Sequence, residues 1–216
     1  MLYFTINALT PMLRRHANDI PTPENGVIVV DSSFLIQTQF HQAARLPQPD
    51  EFADTLGVAI LNHFGRNGFV NVFPAMVVHE VTQLINESTN ISEFFYDNRT
   101  DIDSKILRPY MKNVWKGHVD GGYVITDPAP EKICAYLNKL DKRVSQLKTQ
   151  SQRQGRDTKK YNKSNKTIGQ FIEQTYKKHD TTDWGEEACE AVINVLPKTP
   201  PIFYLSNDIK RLKELE

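Results

Sequence analysis

Four acidic side chains stand where this sequence ends a strand or begins a helix: Asp31 in GVIVVDSSFLI, Glu80 in PAMVVHEVTQLI, Asp183 in HDTTDWGEEACEAV and Asp208 in FYLSNDIKRL. Asp31 and Asp208 each follow an apolar run of the kind that is buried on both faces of a parallel sheet. Carboxylates gathered at such strand ends repel. Two held about 6 Å apart cost roughly 3 kcal/mol at an effective dielectric near 20. Without a counter-charge they protonate or spread apart. Oxygen donors with no convergent histidine or cysteine select Mg²⁺ or Mn²⁺ over zinc, and Mg²⁺ characteristically holds substrate phosphate as well. The residue types therefore point to metal-dependent chemistry on phosphodiesters, with Asp31, Glu80, Asp183 and Asp208 as ligands.

The third position is crowded, since Asp180, Asp183, Glu186, Glu187 and Glu190 lie close together. Asp183 is the first choice and Glu187 the next. Each acid also has a plainer reading. Asp183 with Glu186 fits a helix-capping box. Asp208 suits the N-cap of a final helix, and Asp31 with Ser32 and Ser33 suits the start of one. Glu80 alone reads as an exposed helix residue. Ser33 and Ser206 either orient an acid or a phosphate oxygen, or simply cap turns.

The elements that must position these groups alternate. Gly26 to Val30 reads as a central strand, 50–67 as a helix with Phe52, Leu56, Ala59, Ile60 and Phe64 at helical spacing, and Phe69 to Phe73 as a second strand. Pro74 opens a helix whose buried face is Val77, Val81, Leu84 and Ile85. A helix from Ile102 to Trp115, a strand from Tyr123 to Thr126 and a long helix carrying Ile133, Leu137, Leu140, Val144 and Leu147 follow. Ile168, Phe171, Ile172 and Thr175 mark a shorter partner, so the pair predicts a protruding helical hairpin. The last pair is a helix from Asp183 to Leu196 and a strand from Ile202 to Ser206. Leu2 to Ile6 could add an edge strand. Alternation of this kind predicts an α/β fold, a three-layer sandwich with a mostly parallel central sheet. We read residues 1–216 as one domain carrying a basic insertion at 147–178.

That insertion holds Lys148, Arg153, Arg156, Lys159, Lys160, Lys163 and Lys166 around Tyr161, with few large apolar side chains. It reads as a basic tip offering salt-dependent contacts to a nucleic-acid backbone, or else as an ordinary solvated surface. Charge elsewhere gives no such hint, because 26 basic residues balance 26 acidic ones. Cys134 and Cys189 lie in helical patterns without metal-ligand spacing, which predicts buried reduced thiols and a cytoplasmic protein. The sequence shows neither a leader pattern nor a long apolar segment, so export and membrane spanning are not expected. GxxxxGK, GxGxxG and nucleophile-elbow sequences are all missing, which disfavours triphosphatase, dinucleotide-binding and serine-hydrolase chemistry.

Taken together, VVDSSFLI, FPAMVVHEVTQLI, DWGEEACEAVINVL and LSND resemble the motifs of PIN-domain ribonucleases, and VITDPAPEKI resembles that family's third strand and following helix. The resemblance runs from Gly26 to the end. It implies a PIN-like fold and Mg²⁺- or Mn²⁺-assisted endonucleolytic hydrolysis of RNA by Asp31, Glu80, Asp183 and Asp208. It also brings in partners, namely an RNA substrate, an antitoxin protein if the chain is the toxin of a toxin-antitoxin pair, and a second copy in a homodimer. Two other readings stay open: a catalytically inactive PIN-like scaffold that binds RNA or protein, and a DNA-directed structure-specific nuclease.

Overall fold

Val27 to Val30 follow a Pro/Gly/Asn-rich turn, and in the computed structural model they form strand β1, Gly26–Val30, with every residue buried. The structure describes residues 16–36, 38, 56–87, 104–153, 179 and 183–207. Three further strands, β2 (Phe69–Pro74), β3 (Tyr123–Ile125) and β4 (Ile202–Leu205), complete the described sheet. Their order is β3-β2-β1-β4 and every pairing is parallel. Gly26 is where glycine is needed. Its φ is +150° and a Cβ there would lie 2.7 Å from the Pro201 carbonyl oxygen, which also accepts the Val27 amide at 3.0 Å.

Parallel neighbours need crossovers, and helices supply them. The described helices are α1 (Ser32–Leu35), α2 (Leu56–Arg66), α3 (Ala75–Glu87), α4 (Ser104–Gly121), α5 (Glu131–Arg153) and α6 (Trp184–Val195). Strand alternation puts Phe69, Asn71 and Phe73 on one face. There Phe64 of α2 meets Phe69 edge-on at 5.1 Å, the Asn71 amide donates to the Leu61 carbonyl at 3.2 Å, and Trp115 of α4 meets Phe73 at 5.6 Å. Tyr204 of β4 belongs to the other face, where it bonds Cys189 of α6. With helices on both faces the arrangement is compatible with a three-layer α/β sandwich.

Burial explains why β1 carries no polar residue. Ile28, Val29 and Val30 are fully enclosed, as are Val72 and Phe73 of β2. Each such side chain contributes about 1.5–3 kcal/mol relative to exposure. The structure extends several predicted elements. β2 takes in Pro74, which the sequence offers as the opening of a helix, and α5 runs on to Arg153, into the expected insertion. α4 runs past Trp115 to Gly121, with Met111, Trp115 and Val119, spaced by fours, all buried. Trp115 Nε1 also donates to Thr82 Oγ1 of α3 at 3.0 Å.

On α5 the expected stripe is present where described, with Ile133, Leu137 and Leu140 buried and Tyr136 beside them. The Val144 and Leu147 side chains, the shorter partner helix and the hairpin between them lie outside the described residues, as does the edge strand expected at Leu2 to Ile6.

A candidate acidic site at the carboxyl ends of β1 and β4

From β1 the chain steps through β2 to β3 on one side, then returns to place β4 on the other side of β1. Strand order therefore reverses at β1, and parallel sheets bind ligands outside the carboxyl ends of strands at such a point. Asp31 and Ser206 stand there, one residue beyond β1 and β4 respectively.

Asp31 ends β1 because its side chain caps the next helix. Its amide still pairs with β4, donating to the Leu205 carbonyl at 2.9 Å, while its Oδ2 accepts the Ser33 amide at 3.3 Å. The carboxylate is only 1 % exposed. The Ser33 hydroxyl donates to Oδ2, and the Ser206 hydroxyl reaches the same oxygen at 3.1 Å. Ser33 Oγ in turn accepts the Asn207 amide at 3.0 Å. One oxygen of Asp31 is thus held by both strand ends. Among the described residues the other, Oδ1, meets only the Ser32 hydroxyl, at 3.5 Å.

Ser32 also bonds Glu80. Glu80 lies on α3, one turn beyond the end of β2, and its Oε1 accepts the Gly185 amide at 3.1 Å. The carboxyl is pushed from an ordinary 4.5 up to about 8, first by burial and then by the nearby charges of Asp31 and Glu186. The Ser32 and Gly185 bonds oppose that rise without cancelling it. Among the described residues neither Asp31 nor Glu80 has a lysine or arginine partner.

The remaining sequence-picked residues divide. Asp183 begins α6 in a left-handed conformation, φ 65°, with an exposed side chain that makes no cap bond. Glu187 is turned to Lys132 of α5, 2.7 Å away. Glu186, which the sequence offers mainly as a capping residue, is the α6 acid whose charge reaches Glu80. Asp208 and the basic residues Arg156, Lys159, Lys160, Lys163 and Lys166 lie outside the described residues, as do the side chains of Lys148 and Arg153. Asn207, the neighbour of Asp208 in the chain, is nevertheless pinned to Ser33 beside Asp31.

Behind the acids lies a polar and aromatic layer that spacing does not reveal. Cys189 is fully buried, its thiol pushed well above its ordinary range by burial and by Asp31, Glu80 and Glu186. Tyr204 bonds both Cys189 and Ser206. On the α3 side, His79 Nε2 and the Tyr136 hydroxyl are 2.8 Å apart and both residues are buried. Tyr136 packs edge-on against Trp184 at 5.4 Å, and Lys132 sits 5.6 Å over the same indole.

Among the described residues no three His, Cys, Asp or Glu side chains form a ready-made ligand cluster. A hard divalent cation does not require one, since Mg²⁺ is commonly held by one or two carboxylates, waters and substrate phosphate. Asp31 and Glu80 fit that demand. They are oxygen donors, close enough that the Asp31 charge helps raise the Glu80 carboxyl, and lack a described basic partner. Compared with family models, curated proteins and solved structures, the chain matches none of them.

Proposed function

We propose that the chain is a Mg²⁺- or Mn²⁺-dependent endoribonuclease of PIN-like type, working at Asp31 and Glu80 with Asp208 and an acid of α6 completing the set. The observation that carries this reading is the fixing of Asp31 by Ser33 and Ser206 at the strand-order reversal, with Glu80 bonded to the same Ser32 hydroxyl. The sequence resemblance supplies RNA as the substrate. A bound divalent ion would supply Lewis-acid polarisation of the phosphate and acidification of water.

The chain's own residues prepare the site. Ser33 and Ser206 hold Oδ2, which leaves Oδ1 beside the Ser32 hydroxyl. Glu80, with its carboxyl raised to about 8 first by burial and then by Asp31 and Glu186, holds a proton near neutral pH, and its oxygens, held by Gly185 and Ser32, would serve as ligands to a bound divalent ion. Lys132, half exposed beside Trp184, is a basic group near the rim.

The test is cleavage of single-stranded RNA by the full chain with and without Mn²⁺, beside Asp31→Asn. Wild-type turnover that needs the ion and falls on the order of 10³-fold in the variant is expected. Metal-independent RNA binding without turnover would make the chain a scaffold, and preference for DNA flaps or junctions would make it a DNA-directed nuclease.

A further inference from the structure

Gly185 draws no notice in the sequence, where it is one small residue at the start of a helix. In the structure a side chain at this position meets the Glu80 carboxylate. An ideal Cβ on Gly185 would lie 2.4 Å from Glu80 Oε2, 3.1 Å from the carboxyl carbon and 3.2 Å from Oε1. The same residue donates its amide to Oε1 at 3.1 Å. The backbone is not what demands glycine here. Gly185 is helical, whereas the left-handed residue of this turn is Asp183. Glycine inside a helix costs up to about 1 kcal/mol relative to alanine.

We propose that Gly185 is a positioning residue whose missing side chain makes the seat for the Glu80 carboxylate. The proposal rests on the reading of Asp31 and Glu80 as a divalent-metal site. Two features hold the seat against α3. Trp184, next in the chain, is wedged on Tyr136, which is bonded to His79, the residue before Glu80. Lys132 ties the same turn to α5 through Glu187 and the Trp184 ring. The carboxylate is thus seated between two helices in the space that the missing Gly185 side chain leaves. A methyl at residue 185 fills that room. The atoms it meets are the end of a flexible side chain, so the fold can absorb it by rotating Glu80 away from Asp31.

This gives Gly185→Ala opposite effects on folding and on metal. The full chain is expected to keep or raise its Tm by a few degrees, since alanine is the better helix former. Mn²⁺ affinity, measured by calorimetry without substrate, is expected to fall on the order of tenfold. In a Glu80→Ala background the same change should have no further effect on Mn²⁺ affinity. Unchanged affinity in the single variant, or an equal loss in the Glu80→Ala background, would overturn the proposal. Should Gly185→Ala fail to fold, Glu80→Ala alone decides through the Gly185 amide resonance, which must move upfield on losing its carboxylate acceptor; a resonance that stays put overturns the seat. Failure of the nuclease reading looks different. Wild-type protein that binds no Mn²⁺ yet shows the Gly185 amide shift refutes the metal site and leaves the Glu80 seat standing as a structural contact.

Discussion

Asp31 and Glu80 are neighbouring carboxyl groups, yet the protein treats them differently. Asp31 is held by hydroxyls from both strand ends and by a helix-capping amide, so its position is set by β1 and β4. Glu80 has one amide and a shared hydroxyl, and its carboxyl is pushed up to about 8 mainly by burial. One half of the site is fixed in geometry, while the other is poised in charge. Here the rigid member is built into the sheet and the responsive member is carried on a helix held by another helix.

The largest effect expected from this difference is on pH dependence without metal. A folded-state pKa raised from 4.5 to about 8 means the folded protein binds a proton that the unfolded chain has released. Stability from Glu80 is then complete below pH 4.5 and lost as pH rises toward about 8, at up to about 1.4 kcal/mol per pH unit. His79 and His118 act oppositely but lower down. Burial depresses both from 6.5 to about 4, so their contribution is present above 6.5 and lost as pH falls through that range. Cys189 and Tyr204 are raised beyond this span by burial. The window from 6.5 to about 8 therefore belongs to Glu80 among these groups. Urea unfolding across it should show stability declining with pH in the wild type and a flattened profile in Glu80→Gln. A slope that survives the substitution would remove the poised half of the comparison. If the metal reading holds, Mn²⁺ affinity should rise over the same window, because binding displaces the Glu80 proton.

A smaller effect should follow from loosening the helix that carries Glu80. Tyr136→Phe keeps the ring against Trp184 but deletes the buried bond to His79 Nε2. The expected cost is about 1–3 kcal/mol of unfolding free energy by urea titration, since a buried polar atom loses its partner. The amide resonance of Ser33, which reports on Asp31, should stay in place while that of Gly185 moves. Equal movement of both would show that the two halves are coupled through the sheet.

Much of this arrangement is legible in the chain because it depends on local patterns. The β-branched apolar run before Asp31 reads as a strand covered on both sides, and the helical stripe after Pro74 carries Glu80. What is not legible depends on how helices dock. Glu186 and Glu187 are adjacent on α6 and point about 100° apart. Which of them turns inward is decided by the fit of Trp184 against Tyr136, an encounter between residues 48 positions apart in the chain. The same docking hides the role of Gly185, since no periodicity distinguishes a helix residue that must lack a side chain from one that merely does. His79 and Tyr136 are equally invisible as partners, being separated by 57 residues.

The smallest effect tests whether the rigid half is held by one hydroxyl more than the other. Ser206 donates to Asp31 Oδ2, and Ser33 donates to the same oxygen while accepting the Asn207 amide. Each hydroxyl has a single proton, so the 3.1 Å approach between the two oxygens cannot be a further full bond while both protons are on Asp31. Ser33 therefore does two jobs, orienting the acid and fastening the exit of β4 beside it. Ser33→Ala should cost about 1–2 kcal/mol and Ser206→Ala about 0.5–1.5 kcal/mol in urea unfolding. Amide hydrogen exchange at Asn207 should quicken only in Ser33→Ala. Equal exchange in both variants would mean that solvent already satisfies the Asn207 amide, and that the exit of β4 reaches the Asp31 carboxylate through Ser206 alone.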